Sequence, residues 1–86
     1  MPLWGDYTYT DDERSQMLGL DAAQAAIKLY RDQACRARGV EPYAYRGLDP
    51  QERAFLMGID ATYSKLAHTV SQVGFTFYQA ARARRQ

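Results

Sequence analysis

The chain has too little cysteine and histidine to build the common chemical sites. Its single cysteine, Cys35, excludes an intrachain disulfide, and one cysteine with one histidine, His68, falls short of the ligand set of a zinc site. On a helix, His68 would lie between Lys65 and Gln72, with no nucleophile or carboxylate at a spacing that predicts catalysis. We therefore expect no metal, no cofactor, no small-molecule substrate and no enzymatic activity.

An excess of charge of one sign is also missing. The 86 residues carry 11 Lys and Arg against 10 Asp and Glu, a formal net charge of +1. A dedicated nucleic-acid-binding protein of this size usually has a clear basic excess, so nucleic acid is not the favoured partner. No apolar run approaches the roughly 20 residues that span a bilayer, and the first residues lack the regions of a secretory signal. The sequence predicts an intracellular protein without a membrane partner, either cytoplasmic or within a particle assembled inside the cell.

Proline and glycine are few, and two of them mark where predicted helices begin or end. Thr10 and Glu13 have the spacing of a capping box that begins one helix, and Gly39 is suited to end it. Asp49 followed by Pro50 begins a second helix, which no later proline interrupts. The predicted elements are an extended aromatic arm over residues 1–10, helices over about 11–38 and 50–84, and a loop over 39–49, with residues 11–86 forming the hairpin.

The strongest pattern is a heptad repeat in the second helix. Two rows with a spacing of seven residues contain only apolar or aromatic side chains, which is typical of a coiled coil or a helical bundle. Between Ala54 and Ala81 only Asp60 and Lys65 are formally charged, so the apolar surface is wider than one neighbouring helix covers. We interpret the two rows as a self-association seam. The seam comprises Leu56, Ile59, Tyr63, Leu66, Val70, Val73, Phe77 and Ala80.

The first helix is shorter, and its apolar stripe is narrower. Its acidic start and the arginines at the end of the chain favour an antiparallel hairpin. The last turns of the second helix, with Phe75, Phe77 and Tyr78, would then lie beyond the first helix. The predicted fold is all-α: an antiparallel helical hairpin with an aromatic N-terminal arm, which completes a bundle by oligomerisation. The predicted inward stripe comprises Met17, Leu20, Ile27, Tyr30 and Ala34.

A faint internal repeat relates the two helices. The segment Leu18–Ala22 resembles Met57–Ala61 at an offset of 39 residues, so that a glycine and an aspartate recur at matching places. Duplication of a helical unit and convergence of two similar helix starts both account for it. We expect each aspartate, Asp21 and Asp60, to pair with a cation or to face solvent.

Aromatic residues outside the helices form a second candidate surface. The chain has seven tyrosines and one tryptophan, and rings with a polar tip are common at protein interfaces. Such rings also stack on single-stranded nucleic acid, and packing over the ends of the hairpin is the third explanation. The candidates for a partner surface are Trp4, Tyr7, Tyr9, Tyr43 and Tyr45.

The sequence therefore favours a non-enzymatic protein–protein interaction or assembly subunit. Structural subunits of viral or other large particles, adaptors and inhibitors all fit, and the expected partner is a second copy of the chain, another protein, or both. The alternative is a small nucleic-acid-binding regulator that uses loop tyrosines and arginine clusters. Its phosphate contacts would come from Arg31, Arg36 and Arg38 in the first helix or from Arg82, Arg84 and Arg85 in the tail.

Overall fold

The computed structural model describes residues 8–85, and within them the side chains of residues 8–84. This segment contains two helices, α1 (Asp11–Ala37) and α2 (Pro50–Arg85), which pack against each other in antiparallel directions. The hairpin is 56 Å long and 17 to 20 Å across. The prediction of an all-helical hairpin is confirmed. Two of the five partner-surface candidates, Trp4 and Tyr7, lie outside the described residues.

The predicted capping box is present at the start of α1. The Thr10 hydroxyl accepts a hydrogen bond of 3.0 Å from the Glu13 N–H, and the Glu13 carboxylate accepts one of 2.9 Å from the Thr10 N–H. At the other end, Gly39 has a φ of 67°, and its N–H donates to the Arg36 carbonyl. Glycine tolerates this left-handed conformation, which stops the helix. α1 ends at Ala37, one residue earlier than predicted.

The start of α2 also follows from its capping residues. Asp49 precedes Pro50, and the Asp49 carboxylate accepts a hydrogen bond of 3.0 Å from the Glu52 N–H. Proline at the first helical position costs nothing, because its missing N–H would have no partner within the helix. The helix continues without a break to Arg85, one residue beyond the predicted end.

The heptad rows of α2 face α1. Leu56 is fully buried, and the other seven seam residues are half-buried. Opposite them, α1 contributes the buried Met17 and Ala34 and the half-buried Leu20 and Ile27. Tyr30 was predicted to point inward, but it is exposed because the next residue, Arg31, takes the inward position.

Gly74 of α2 lies next to the Met17 side chain of α1. The terminal carbon of Met17 lies 3.4 Å from the place that a Cβ on residue 74 would occupy. Glycine costs about 1 kcal/mol relative to alanine inside a helix. An alanine at this position would make an ordinary van der Waals contact, so the packing of α1 does not require glycine here.

The short segment before α1 covers the end of α2. α2 has 36 residues and α1 has only 27, so α1 alone cannot cover the end of α2. Ala81, near that end, is nevertheless fully buried, and Tyr9 is also buried. The prediction that the last turns of α2 are uncovered is wrong for Phe77 and Tyr78, which are half-buried. It holds for Phe75, whose side chain is 62% exposed on the outer side of the helix.

The hairpin removes few side chains from water. Within residues 8–84, one arginine and seven apolar residues are buried, and the main cluster lies at the loop end, where the Cys35 side chain packs with Ala34, Tyr45 and Leu56. Seven large apolar or aromatic side chains remain exposed. These are Leu18, Leu29, Tyr30, Tyr43, Phe55, Met57 and Phe75.

Candidate interaction surfaces

A buried polar cluster connects α1, the loop and α2. The Arg31 guanidinium donates to Asp60 Oδ1 at 3.0 Å and to Asp32 Oδ1 at 2.8 Å. The Tyr45 hydroxyl donates to the other oxygen of Asp60 at 2.6 Å, and the Cys35 thiol lies 3.9 Å from that hydroxyl. Both oxygens of Asp60 therefore have donors, as a buried carboxylate requires. The expectation that Asp60 pairs with a cation is confirmed.

This cluster changes the interpretation of Tyr45. The sequence places Tyr45 among the partner-surface candidates, but only 6% of the residue is exposed. Burial, followed by the hydrogen bond to Asp60, raises the pKa of Tyr45 to about 12. Interactions with Tyr43, Asp32 and Asp60 raise the pKa of Arg31 as well. Tyr45 thus holds the loop against the helices and has little surface to offer a partner.

One sequence signal could have revealed the cluster. Arg31 lies seven residues after Gln24 and fourteen after Met17, so it belongs to the row of α1 that faces α2. A cation on an inward row needs an anion opposite, and Asp60 is the acid of α2 that lies beside the seam. Sequence reasoning instead assigned Arg31 to a phosphate-binding cluster.

Tyr43 is the exposed tyrosine of the loop. Its residue is 70% exposed, its φ is 70°, and its ring centroid lies 5.1 Å from the Arg31 guanidinium. It borders an open groove of about 490 Å³ that Met57, Arg46 and Arg53 also line. Neither of these two arginines has a carboxylate partner within residues 8–85. This end of the hairpin is therefore aromatic and cationic.

The other end is closed by Arg84. Its guanidinium donates to the Thr8 carbonyl at 2.8 Å and to the Glu13 carboxylate at 2.6 Å. The Thr10 N–H, and then Arg84, lower the pKa of Glu13, and burial followed by nearby Tyr78 raises the pKa of Tyr9. Tyr9, another partner-surface candidate, is buried because this contact folds its segment over α2.

The arginines proposed for phosphate binding divide into two groups. Arg31 and Arg84 are held by carboxylates, and Arg38 pairs with Glu52 while stacking 4.9 Å from the Phe55 ring. Arg36 and Arg82 are exposed, and the Arg85 side chain lies outside the described part of the chain. Half of the cationic residues that a polyanion would use are thus engaged within the hairpin.

The two flanks of the hairpin differ in charge. One flank, here called the charged flank, has Arg14 and Asp21 in α1 and Arg53 and Asp60 in α2. The opposite flank has two open grooves, of about 470 and 230 Å³, whose lining residues include no Asp, Glu, Lys or Arg. We call it the uncharged face. It comprises Gln16, Gly19, Ala23, Ala26 and Tyr30 of α1 and Phe55, Gly58, Thr62, Lys65, Thr69, Gln72 and Thr76 of α2, and Lys65, in the same row as Gly58 and Gln72, is its one charged residue.

Three threonines of the uncharged face have their hydroxyl groups hydrogen-bonded to the backbone of α2. Thr62, Thr69 and Thr76 recur every seven residues, and each hydroxyl donates to the carbonyl four residues earlier at 3.0 to 3.1 Å. Because these hydroxyl protons already have acceptors, covering the row leaves no donor without a partner. Threonine in this arrangement behaves as a nearly apolar residue.

Gly19 and Gly58, at matching places in the internal repeat, also lie on or beside this face. Nothing lies within 4 Å of a Cβ added to either residue, and neither has a positive φ. Each nevertheless costs about 1 kcal/mol in its helix relative to alanine. The packing of the hairpin itself does not require glycine at either position. Around them the repeat is structurally symmetric, since Leu20 and Ile59 are both half-buried while Leu18 and Met57 are both exposed.

The described residues include no cluster suited to binding a metal ion. His68 is exposed, and within residues 8–85 no three His, Cys, Asp or Glu side chains are grouped as metal ligands. Neither α1 nor α2 contains a segment that is both long and apolar enough to cross a membrane.

Comparison with known proteins assigns the chain to no family. No family model, curated protein sequence or solved structure matches it. Its function is therefore inferred from the side-chain geometry described above.

Proposed function

We propose that the chain is a non-enzymatic assembly subunit that associates with itself and presents its loop end to another protein. The observation that supports the proposal is the ratio of buried to exposed apolar side chains. Seven apolar residues are buried within residues 8–84, and seven large apolar or aromatic residues of the same segment stay exposed. The exposed residues lie in the loop and on several sides of the hairpin, and two of them, Tyr30 and Phe55, form an exposed aromatic pair between the helices that another element could cover.

The shape of the hairpin supports the same proposal. A chain of 86 residues that folds as a compact domain has a radius of gyration of about 12 Å, whereas the hairpin has 17.2 Å. An elongated pair of helices has one internal interface, so most of its surface faces water. Two such hairpins side by side give a four-helix bundle, the smallest common arrangement with a central core.

The loop end is the second part of the proposal. Tyr43 and Met57 provide exposed aromatic and apolar surface beside Arg46, a combination that is common at protein interfaces. A nucleic-acid-binding role draws less support, because carboxylates already hold Arg31, Arg38 and Arg84.

Sedimentation velocity and thermal unfolding of the full chain test the proposal. An associating chain gives a sedimentation coefficient and a Tm that both rise with protein concentration, because association stabilises the folded state by mass action. A folded chain with a monomer mass and a constant Tm throughout the micromolar range would refute self-association.

A further inference from the structure

The heptad seam of α2 faces α1, which buries Leu56 and leaves the other seven seam residues half-buried. A second copy has more room on a surface that α1 leaves open. We propose that the uncharged face binds the same face of a second copy in a two-fold arrangement, which forms a four-helix bundle. This inference rests on the proposed function and specifies the surface through which it operates. The charged flank then remains in water.

Charge distinguishes the two flanks. An interface over the charged flank would remove Arg14, Asp21 and Lys28 from water, and taking charges out of water is costly unless each meets a well-placed opposite charge. The uncharged face has one charged residue, Lys65, whose long side chain can extend to water at the rim of an interface. In a two-fold dimer the same patch meets itself, so an uncharged patch is complementary to its copy without any need for opposite charges. The net charge of +1 adds little repulsion between copies.

The uncharged face also contains exposed aromatic surface, whose removal from water would stabilise a dimer. Tyr30 and Phe55 form an edge-to-face pair with ring centroids 6.3 Å apart, although 54% of Tyr30 and 41% of Phe55 stay exposed. Beside this pair runs the threonine row, whose hydroxyl protons are already satisfied within α2. The pair would be the anchor of the interface, since aromatic residues contribute most of the energy at many interfaces.

The presence of Gly19 and Gly58 is explained if a second helix packs against this face. Gly19 and Gly58 have open space where a side chain would be, and Ala23 and Ala26 lie near Gly19 on α1. Small residues on a helix surface let another helix approach closely. The two glycines are thus supporting evidence, and the difference in charge is the main observation.

The size of the face is near the lower end of the range for a dimer. Its residues in α2 run from Phe55 to Thr76, which is about 32 Å of helix at 1.5 Å per residue, and the hairpin is 20 Å wide, so the face covers about 640 Å². Stable protein–protein interfaces bury about 600 to 1,000 Å² on each partner. The face is thus large enough to hold a second copy.

Two matched pairs of variants test the inference. Thr69→Arg places a cation on the uncharged face, and Ser71→Arg places one on the opposite side of α2; both wild-type residues are exposed. In α1, Ala23→Arg and Ala25→Arg form the same kind of pair. Thr69→Val keeps the shape without a charge. Sedimentation equilibrium gives the dissociation constant of each, and circular dichroism reports whether each variant is folded.

We expect Thr69→Arg and Ala23→Arg to raise the dissociation constant at least about 100-fold, because the interface would bury an unpaired charge. Ser71→Arg, Ala25→Arg and Thr69→Val should keep the wild-type value within a factor of about 3. If the wild-type chain associates and Ser71→Arg and Ala25→Arg are the disruptive variants, the assignment of the face is wrong while the proposed function stands. A monomeric wild-type chain would refute both.

Discussion

Arg31 of α1 and Asp60 of α2 form an ion pair of 3.0 Å that joins the two helices near the loop. The exposed fractions of the two side chains are 10% and 15%. Because both charges are largely out of water, the pair fixes the register of the hairpin more than it adds net stability, and removal of one member is costly. Tyr45 extends the pair to the loop through the second oxygen of Asp60.

Replacement of Asp60 should therefore destabilise the hairpin. Asp60→Ala leaves Arg31 with Asp32 alone and removes the acceptor of the Tyr45 hydroxyl, so we expect a loss of about 3 kcal/mol in the free energy of unfolding. Asp32→Ala is the control, because its side chain is 35% exposed and its loss should cost at most about 1 kcal/mol. Urea titration measures both. Equal losses would show that the cluster does not hold the helices together.

The pKa of Tyr45 predicts an alkaline loss of stability. The folded pKa of about 12 exceeds the ordinary value of 10.0, so the contribution of Tyr45 is complete below pH 10 and is lost as the pH rises toward 12. Over that range the wild-type chain should lose about 2 kcal/mol more than Tyr45→Phe. Denaturant titrations at several pH values check the difference. Parallel pH profiles for the two proteins would contradict the buried hydrogen bond to Asp60.

The contact of Glu13 with Arg84 predicts the opposite dependence at acid pH. The pKa of Glu13 is lowered in the folded chain, so its stabilising contribution is present above the ordinary pKa and is lost as the pH falls through the folded value. Stability between pH 7 and pH 3 should fall less steeply in Glu13→Gln than in the wild-type chain. Denaturant titrations at several pH values measure both slopes, and equal slopes for the two proteins would contradict the contacts of Glu13 with Thr10 and Arg84.

Replacement of Gly58 by alanine should stabilise the helix and weaken the dimer at the same time. Gly58→Ala should favour α2 by up to about 1 kcal/mol, because alanine is the better helix former and nothing lies within 4 Å of the added Cβ. If a second copy packs against this residue, the same variant should weaken the dimer while helicity stays the same or rises. Circular dichroism and sedimentation equilibrium measure the two quantities. A dimer that is equally stable in Gly58→Ala would remove Gly58 from the interface.

The helices and their direction could be predicted from the sequence because local chemistry determines them. The capping box at Thr10, the proline at position 50 and Gly39 each act within a few residues of the chain. The partner of Arg31 could not be predicted in the same way. It depends on the register between the helices, which is a tertiary property and brings Arg31 opposite Asp60.

The surfaces were harder to predict than the fold. The heptad rows of α2 indicate an apolar interface but do not say which helix covers them, and in the hairpin α1 does so. Tyr9 and Tyr45 look like surface residues because they lie outside the helices, yet tertiary contacts bury both. The uncharged face could not be predicted from the sequence, because it depends on the register that places Tyr30 of α1 beside Phe55 of α2.

Sedimentation equilibrium of the wild-type chain and Thr69→Arg tests the central claim most directly. The account predicts twice the monomer mass of 9.8 kDa for the wild-type chain at micromolar concentration and a folded monomer for Thr69→Arg. A folded wild-type monomer at the same concentrations, or a Thr69→Arg dimer as tight as the wild-type dimer, would contradict it.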